Sequence, residues 1–253
     1  MLKFAILLVN NNRSKSYLQN LINHGFVPTM AIVLNDRNVN LVEQTENDKL
    51  ISKNTDQNFF RKLKDIDLSF NEKEHILTTL DNNKIDYSLL DTLDVNSELV
   101  IKEVSKISDD YIIYSGPSGT ILRKEILSLG KKFIHVHPGH LPRYRGSTTI
   151  YYSILHDLTV GCSVILLNEG IDEGPILYKN KYKIKEKNLD FDYVLDPLIR
   201  TKILIEFLSL NKITPEHQDK NEENNTFYII HPFLKHLSIA KYNKEINKNE
   251  KSI

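Results

Sequence analysis

The stretch FAILLVNNNRSKSYLQNLINHGFVPTMAIVLND (Phe4–Asp36) decides the fold. Its first six residues, Phe4–Val9, form an unbroken apolar run, the pattern of a strand covered on both faces. SKSYLQNLINHG then repeats apolar residues at a spacing near 3.6 and stops on Gly25, a residue that ends helices readily. VPTMAIVLND reads as a second buried strand. Strand, helix, strand in this order predicts a parallel pair joined by a right-handed crossover.

The same alternation continues outward. Residues from Glu43 to Ser69 are polar and irregular, and NEKEHILTTLDNNK and NSELVIKEVSKIS read as helices opening at an Asn or Ser cap. DYIIYSG (Asp110–Gly116) is a buried strand, LRKEILSLG a helix ending on glycine, and KKFIHVHPG (Lys131–Gly139) another strand. STTIYYSILHD reads as a helix, GCSVILLNEG as a strand, and GPILYKNKYKI, with its alternating lysines, as an edge strand. The second half of LDFDYVLDPLIRTKILIEFLSL carries a helical stripe. TFYIIHPFLKHLSI is apolar enough to pack, and KYNKEINKNEKSI is charged and either frayed or an exposed helix. The expected class is α/β: an open, mostly parallel sheet with helices on both faces over 1–210, and a C-terminal extension over 211–253.

Composition narrows the function. The chain has 253 residues, 40% hydrophobic and 26% charged, and Lys+Arg equals Asp+Glu at 33 each. Binding to nucleic acid calls for a basic excess that is absent overall. A single cysteine, Cys162, precludes an intrachain disulfide and suits a reducing compartment, so the cytoplasm is the expected address. The first apolar run is too short for a membrane span.

FIHVHPGHLPRYRG (Phe133–Gly146) concentrates chemistry. His135 and His137 alternate on one strand and so share a face. They sit at its end, where open α/β sheets place ligand sites. The bland alternative is one core and one surface histidine. Two functional readings stand beside it. Zinc held by His135, His137, His140 and Asp172 would make a hydrolase or deacylase, although no cysteine pair or His-Glu-x-x-His pattern accompanies it. Metal-free acyl transfer needs a histidine of near-neutral pKa, a carboxylate to fix it and a donor for an oxyanion. Asp172 in NEGIDEGPIL, between Gly170 and Gly174, is the candidate carboxylate.

HVHPGHLPRYRGS, YYSIL and GCSVILLNEGIDEGPIL, in this order, resemble the folate-dependent formyltransferase family. That family carries Asn-x-His-Pro-Ser-x-Leu-Pro, often with Arg-Gly after it, and an Asp-x-Gly segment some thirty-five residues on; Asp172 lies thirty-five positions after His137. YSGPSGTILRKEIL resembles the segment before the catalytic strand. The likeness is close from Asp110 to Leu177 and architectural before that.

The resemblance implies a Rossmann-like formyltransferase fold and 10-formyltetrahydrofolate as co-substrate. It implies that His137 is the catalytic histidine and proton shuttle, Asp172 the carboxylate that orients it, and His135 the oxyanion donor in place of the family asparagine. Carried over in the same way, Ser115, Gly116, Gly119, Ile121, Leu122, Gly170 and Ile171 line the folate site. Arg143, Tyr144 and Arg145 are expected at an anionic acceptor. The chain lacks the glycine-rich phosphate loop of the purine-pathway enzymes, having NNNRSKS there with Ser14 and Ser16 as phosphate contacts, and about seventy-five residues follow Leu177. By elimination the expected acceptor is a nucleotide-linked amino sugar of surface polysaccharide biosynthesis. Tyr144, Tyr151, Tyr152 and Tyr228 are candidates to stack on it. His231-Pro232 reads as a site closure or a cap, and a homodimer is a further expectation. The rival readings are the zinc hydrolase or deacylase and a non-catalytic folate- or sugar-binding relative, with His135 marking a decayed site.

Overall fold

The computed structural model describes residues 2–36, 60–219 and 225–250. Its centre is a seven-stranded sheet in the order β10-β9-β7-β6-β1-β2-β5. These strands are β1 (Ala5–Val9), β2 (Ala31–Leu34), β5 (Tyr87–Leu90), β6 (Tyr111–Ser115), β7 (Lys132–His137), β9 (Val160–Leu166) and β10 (Ile176–Tyr182). Pairing is parallel from β5 through β2, β1 and β6 to β7. It turns antiparallel at β9 and β10. The lysine-bearing strand is therefore an edge, as its alternation predicts.

Continuous hydrophobicity in β1 has a direct cause. Phe4, Ile6 and Leu8 enter one core, and Ala5, Leu7 and Val9 enter the core on the opposite face. Helices α1 (Asn12–Asn23), α2 (Ile76–Asn82), α5 (Thr149–Asp157) and α6 (Asp196–Ser209) contribute to the first. Helices α3 (Glu98–Ser105) and α4 (Lys124–Leu127) contribute to the second. The Asn11 side chain caps α1 by accepting from Ser14 N at 2.9 Å. Ser97 caps α3 in the same manner. Helix α2 departs from expectation: its cap is His75, whose Nδ1 accepts from Leu77 N at 3.2 Å.

Three features were not anticipated. Part of the irregular segment forms a hairpin of β3 (Phe60–Leu63) and β4 (Leu68–Asn71); residues 43–59 lie outside the described residues. β8 (Tyr144–Gly146) pairs in parallel with β11 (Asn225–Phe227). The charged end is one helix with the apolar stretch before it, α7 (Pro232–Glu250). It docks on α5 through Ser238 Oγ donating to Tyr151 O and Lys241 Nζ donating to Leu155 O. Pro232 is its first residue, where a missing N–H costs nothing, and His231 Nδ1 accepts from Phe233 N. His231-Pro232 thus makes a cap. No described helix is long and apolar enough to cross a membrane.

Candidate active site

The carboxyl ends of β1, β6 and β7 meet at one edge of the sheet, beside the switch from β1 to β6, where the chain reverses its direction of strand addition. A cavity of about 670 Å³ opens there, within the size range of small-molecule sites. His135, His137 and Asp172 all line it.

His137 is held at both ring nitrogens. Nδ1 lies 3.2 Å from Asp172 Oδ2, and Nε2 lies 2.6 Å from the Tyr144 carbonyl oxygen. A carbonyl can only accept, so Nε2 carries a hydrogen. The contact between Nδ1 and the carboxylate becomes a hydrogen bond when a further proton enters the pair. Burial pushes the His137 imidazolium down, opposed by Asp172 and by the Tyr144 carbonyl. Asp172 Oδ2 also accepts from Gly146 N at 2.8 Å. Its backbone is left-handed, with φ 53°, a conformation that aspartate tolerates better than most residues.

Two glycines permit this packing. A Cβ at Gly139 would lie 2.4 Å from Tyr144 O and 2.5 Å from His137 Nε2, inside their hydrogen bond. At Gly146, with φ +92°, a Cβ would lie 2.1 Å from Phe227 O. The β8–β11 pair thus closes on the site only because position 146 has no side chain.

His135 differs. Its Nδ1 is buried with no hydrogen-bond partner. Burial, then Arg200 and Arg13, then His137 hold its pKa well below the ordinary histidine value, so the ring is neutral at pH 7. Arg200 is fixed by Asp196 at 2.9 Å and donates to Val136 O at 2.6 Å, the carbonyl between the two histidines. Burial pulls the Arg200 pKa down, but Asp196 and Tyr17 more than offset it.

Of the expected folate residues, Gly119, Ile121, Leu122, Gly170 and Ile171 line the cavity. Ser115 and Gly116 do not; they accept from Arg13 instead, Ser115 Oγ from Nε at 3.1 Å and Gly116 O from Nη2. The three residues expected at the acceptor are also elsewhere. Arg143 Nη1 and the Tyr144 hydroxyl both donate to Asp157 Oδ2, at 2.8 and 2.7 Å. Arg145 donates to Gln218 Oε1. Each is spent on bracing the loop after β7. Ser14 and Ser16 are buried and bonded to Ser115 and Thr201, so neither presents a hydroxyl to a phosphate. Tyr151 lines the cavity but donates its hydroxyl to Asp192 Oδ1, whereas Tyr152 packs on Phe227.

His140 does not line the cavity; it packs over Gly161, with Lys179 and Lys181 depressing its pKa after burial does. Among the described residues no cluster of three or more His, Cys, Asp or Glu has metal-holding geometry. The four side chains of the zinc reading are therefore not brought together. Arg13, Tyr114, Asp192, Asp196 and Arg200 line the cavity and were not singled out from the sequence. Arg200 sits in a helical stripe and Arg13 in a polar loop, and neither context distinguishes a site arginine from a solvated one.

Comparison with known proteins agrees with this geometry. The family model for formyl transferase matches residues 59–194, more than half of the chain. Methionyl-tRNA formyltransferase from Ehrlichia ruminantium (strain Gardel) is 35% identical over 129 residues, covering 49% of this chain and 41% of that protein. The corresponding enzyme of a Wolbachia sp. is 38% identical over 112 residues, covering 44% and 37%. The chain thus spans about half the length, or less, of these curated relatives. In fold it is similar to an N-formyltransferase from Helicobacter canadensis in complex with folinic acid and dTDP-3-aminofucose, with a TM-score of 0.56, 17% identity, and coverage of 96% of this chain and 81% of that one. It is also similar to a phosphoribosylglycinamide formyltransferase from Streptococcus pneumoniae, at a TM-score of 0.53, 12% identity, and coverage of 83% and 99%. With motif, strand order and family profile in agreement, the chain belongs to the formyl transferase family.

Proposed function

We propose that this protein transfers a formyl group from 10-formyltetrahydrofolate to a primary amine, with a nucleotide-linked amino sugar as acceptor. The observation that carries the reading is the buried His137–Asp172 contact at 3.2 Å on the wall of the cavity. Apolar side chains of Ile121, Leu122 and Ile171 supply a wall for a flat heterocycle beside it. The folate supplies an electrophilic formyl carbon.

The residues divide the remaining work. The attacking amine must lose one proton, and folate N10 must gain one as its bond to carbon breaks. The His137 Nε2 hydrogen is committed to Tyr144 O, so the proton leaving the amine is received at the Nδ1–Asp172 contact and passed on to N10. Asp172 is then the member that exchanges protons with substrate, and His137 stabilises whichever charge results. The pair ends the cycle as it began. His135 donates a ring N–H to the formyl oxygen as negative charge grows there. A neutral imidazole can do this, as the family's asparagine amide can.

The test is folate release by purified protein supplied with 10-formyltetrahydrofolate and one acceptor at a time: nucleotide-linked amino sugars, glycinamide ribonucleotide or methionyl-tRNA, with and without EDTA. Release that needs an amino sugar, ignores EDTA and vanishes in His137→Ala supports the reading. Release with another acceptor would replace the substrate, and chelator-sensitive hydrolysis without an acceptor would overturn the reaction.

A further inference from the structure

Arg13, at the start of α1, lines the same cavity and is partly buried. Two of a guanidinium's five N–H groups are used, on Ser115 Oγ and Gly116 O. No carboxylate among the described residues pairs with it, in contrast to Arg200, which has Asp196. Burial and the second guanidinium, Arg200, both lower its pKa. Tyr17, Asp196 and Tyr114 oppose them only in part, and two like charges on one cavity are costly. Beside them Tyr114, 4% exposed, also lines the cavity, and its hydroxyl has no partner. Burial raises the Tyr114 pKa to about 12, against the opposing pull of Arg13, so it stays a donor at neutral pH. A cation without an ion-pair partner among the described residues and a covered hydroxyl without an acceptor thus both belong to residues that line one cavity.

We infer that Arg13 and Tyr114 form a subsite for an anionic group, phosphate or carboxylate, carried by the amine acceptor. The inference rests on the formyl-transfer reading of the site, since that reading gives the cavity an acceptor. It differs from a phosphate cradle of backbone N–H groups and serine hydroxyls, because Ser14 and Ser16 are spent inside the fold. An anion there would pair with Arg13 and orient the amine towards the His137–Asp172 end, where misplacement is expensive in rate.

Thermal melting of the whole chain tests this without turnover. Wild type, Arg13→Met, Arg13→Lys and Tyr114→Phe are melted at constant ionic strength with inorganic pyrophosphate, phosphate, acetate or folinic acid. A hundredfold excess of a bound anion over its Kd raises the melting temperature by about 5 °C for a chain of this size. The expected result is such a shift in wild type, lost in Arg13→Met, reduced in Arg13→Lys and Tyr114→Phe, with ligand-free Arg13→Met melting no lower than wild type. A shift with pyrophosphate or phosphate assigns a phosphorylated acceptor; one with acetate alone assigns a carboxylated one. The folinic acid shift should survive Arg13→Met; its loss would assign Arg13 to folate and overturn the inference. Equal anion responses in wild type and Arg13→Met, or a lower ligand-free melt of Arg13→Met, would make Arg13 a tie between α1 and the loop after β6. Failure of folinic acid to shift wild type would instead sink the formyl-transfer reading, and the anion arms would still be decided separately.

Discussion

His135 and His137 lie two residues apart on one face of one strand, yet their surroundings are opposite. Both nitrogens of His137 have partners, one of them a carboxylate. His135 has a buried nitrogen with none and two guanidiniums for neighbours. The first is a finished pair, set before substrate arrives. The second is left without that partner, in a residue that lines the cavity. A fully satisfied buried pair fixes one geometry, while an unpaired buried group stores a cost that binding can relieve.

The contrast breaks most sharply at the finished pair. His137→Ala and Asp172→Asn should each lower kcat by about 10²–10⁴-fold, read as folate release under saturating substrates. Asparagine keeps the left-handed backbone at 172 accessible, so the loss reports the carboxylate; a loss under tenfold would remove Asp172 from proton transfer. Gly139→Ala attacks the same pair indirectly, by driving a methyl group between His137 Nε2 and Tyr144 O. Its kcat should fall by at least tenfold, with folinic acid binding retained because the walls at Leu122 and Ile171 are untouched.

His135 should be less costly. Loss of one oxyanion donor lowers rate by about 10²–10³-fold, so His135→Ala belongs in that range and His135→Asn should recover to within about tenfold of wild type. Because His135 is neutral at pH 7, wild type and His135→Asn should share one acid limb in kcat/KM. A limb near pH 6.5 present only in wild type would show that His135 works as a cation.

The smallest effect is on stability. His75, His135 and His140 all have pKa values lowered on folding, to about 4 for His75 and His140. Below pH 6.5 the unfolded chain takes up protons that the folded chain refuses, so stability must fall as pH drops from 6.5 towards 4. Melting temperature against pH checks the sign. His75→Asn, which keeps a capping oxygen for Leu77 N, should flatten part of the slope.

The family pattern was legible because its parts are local: a strand ending in His-x-His-Pro, a loop, another strand and an Asp between glycines. The two walls of the cavity at Gly119–Leu122 and Gly170–Ile171 came with it. Arg143, Tyr144 and Arg145 misled because residues beside a motif look functional until their partners are known; Asp157 and Gln218 occupy them. β8 and β11 were invisible because three-residue strands leave no periodicity. Arg13, Asp196 and Arg200 come from two helices more than 180 positions apart in the chain, and no local pattern links them.

The sequence by itself determined the parallel sheet, through apolar runs that only double-sided burial explains, and the identity of the histidine–aspartate pair, through the family's spacing. Tertiary structure alone decided which groups those residues face. The docking of α6 and α1 against the ends of β6 and β7 puts two guanidiniums beside His135 and none of the expected arginines in the cavity. Charge environment depends on distance in space, and the sequence pattern records only distance along the chain.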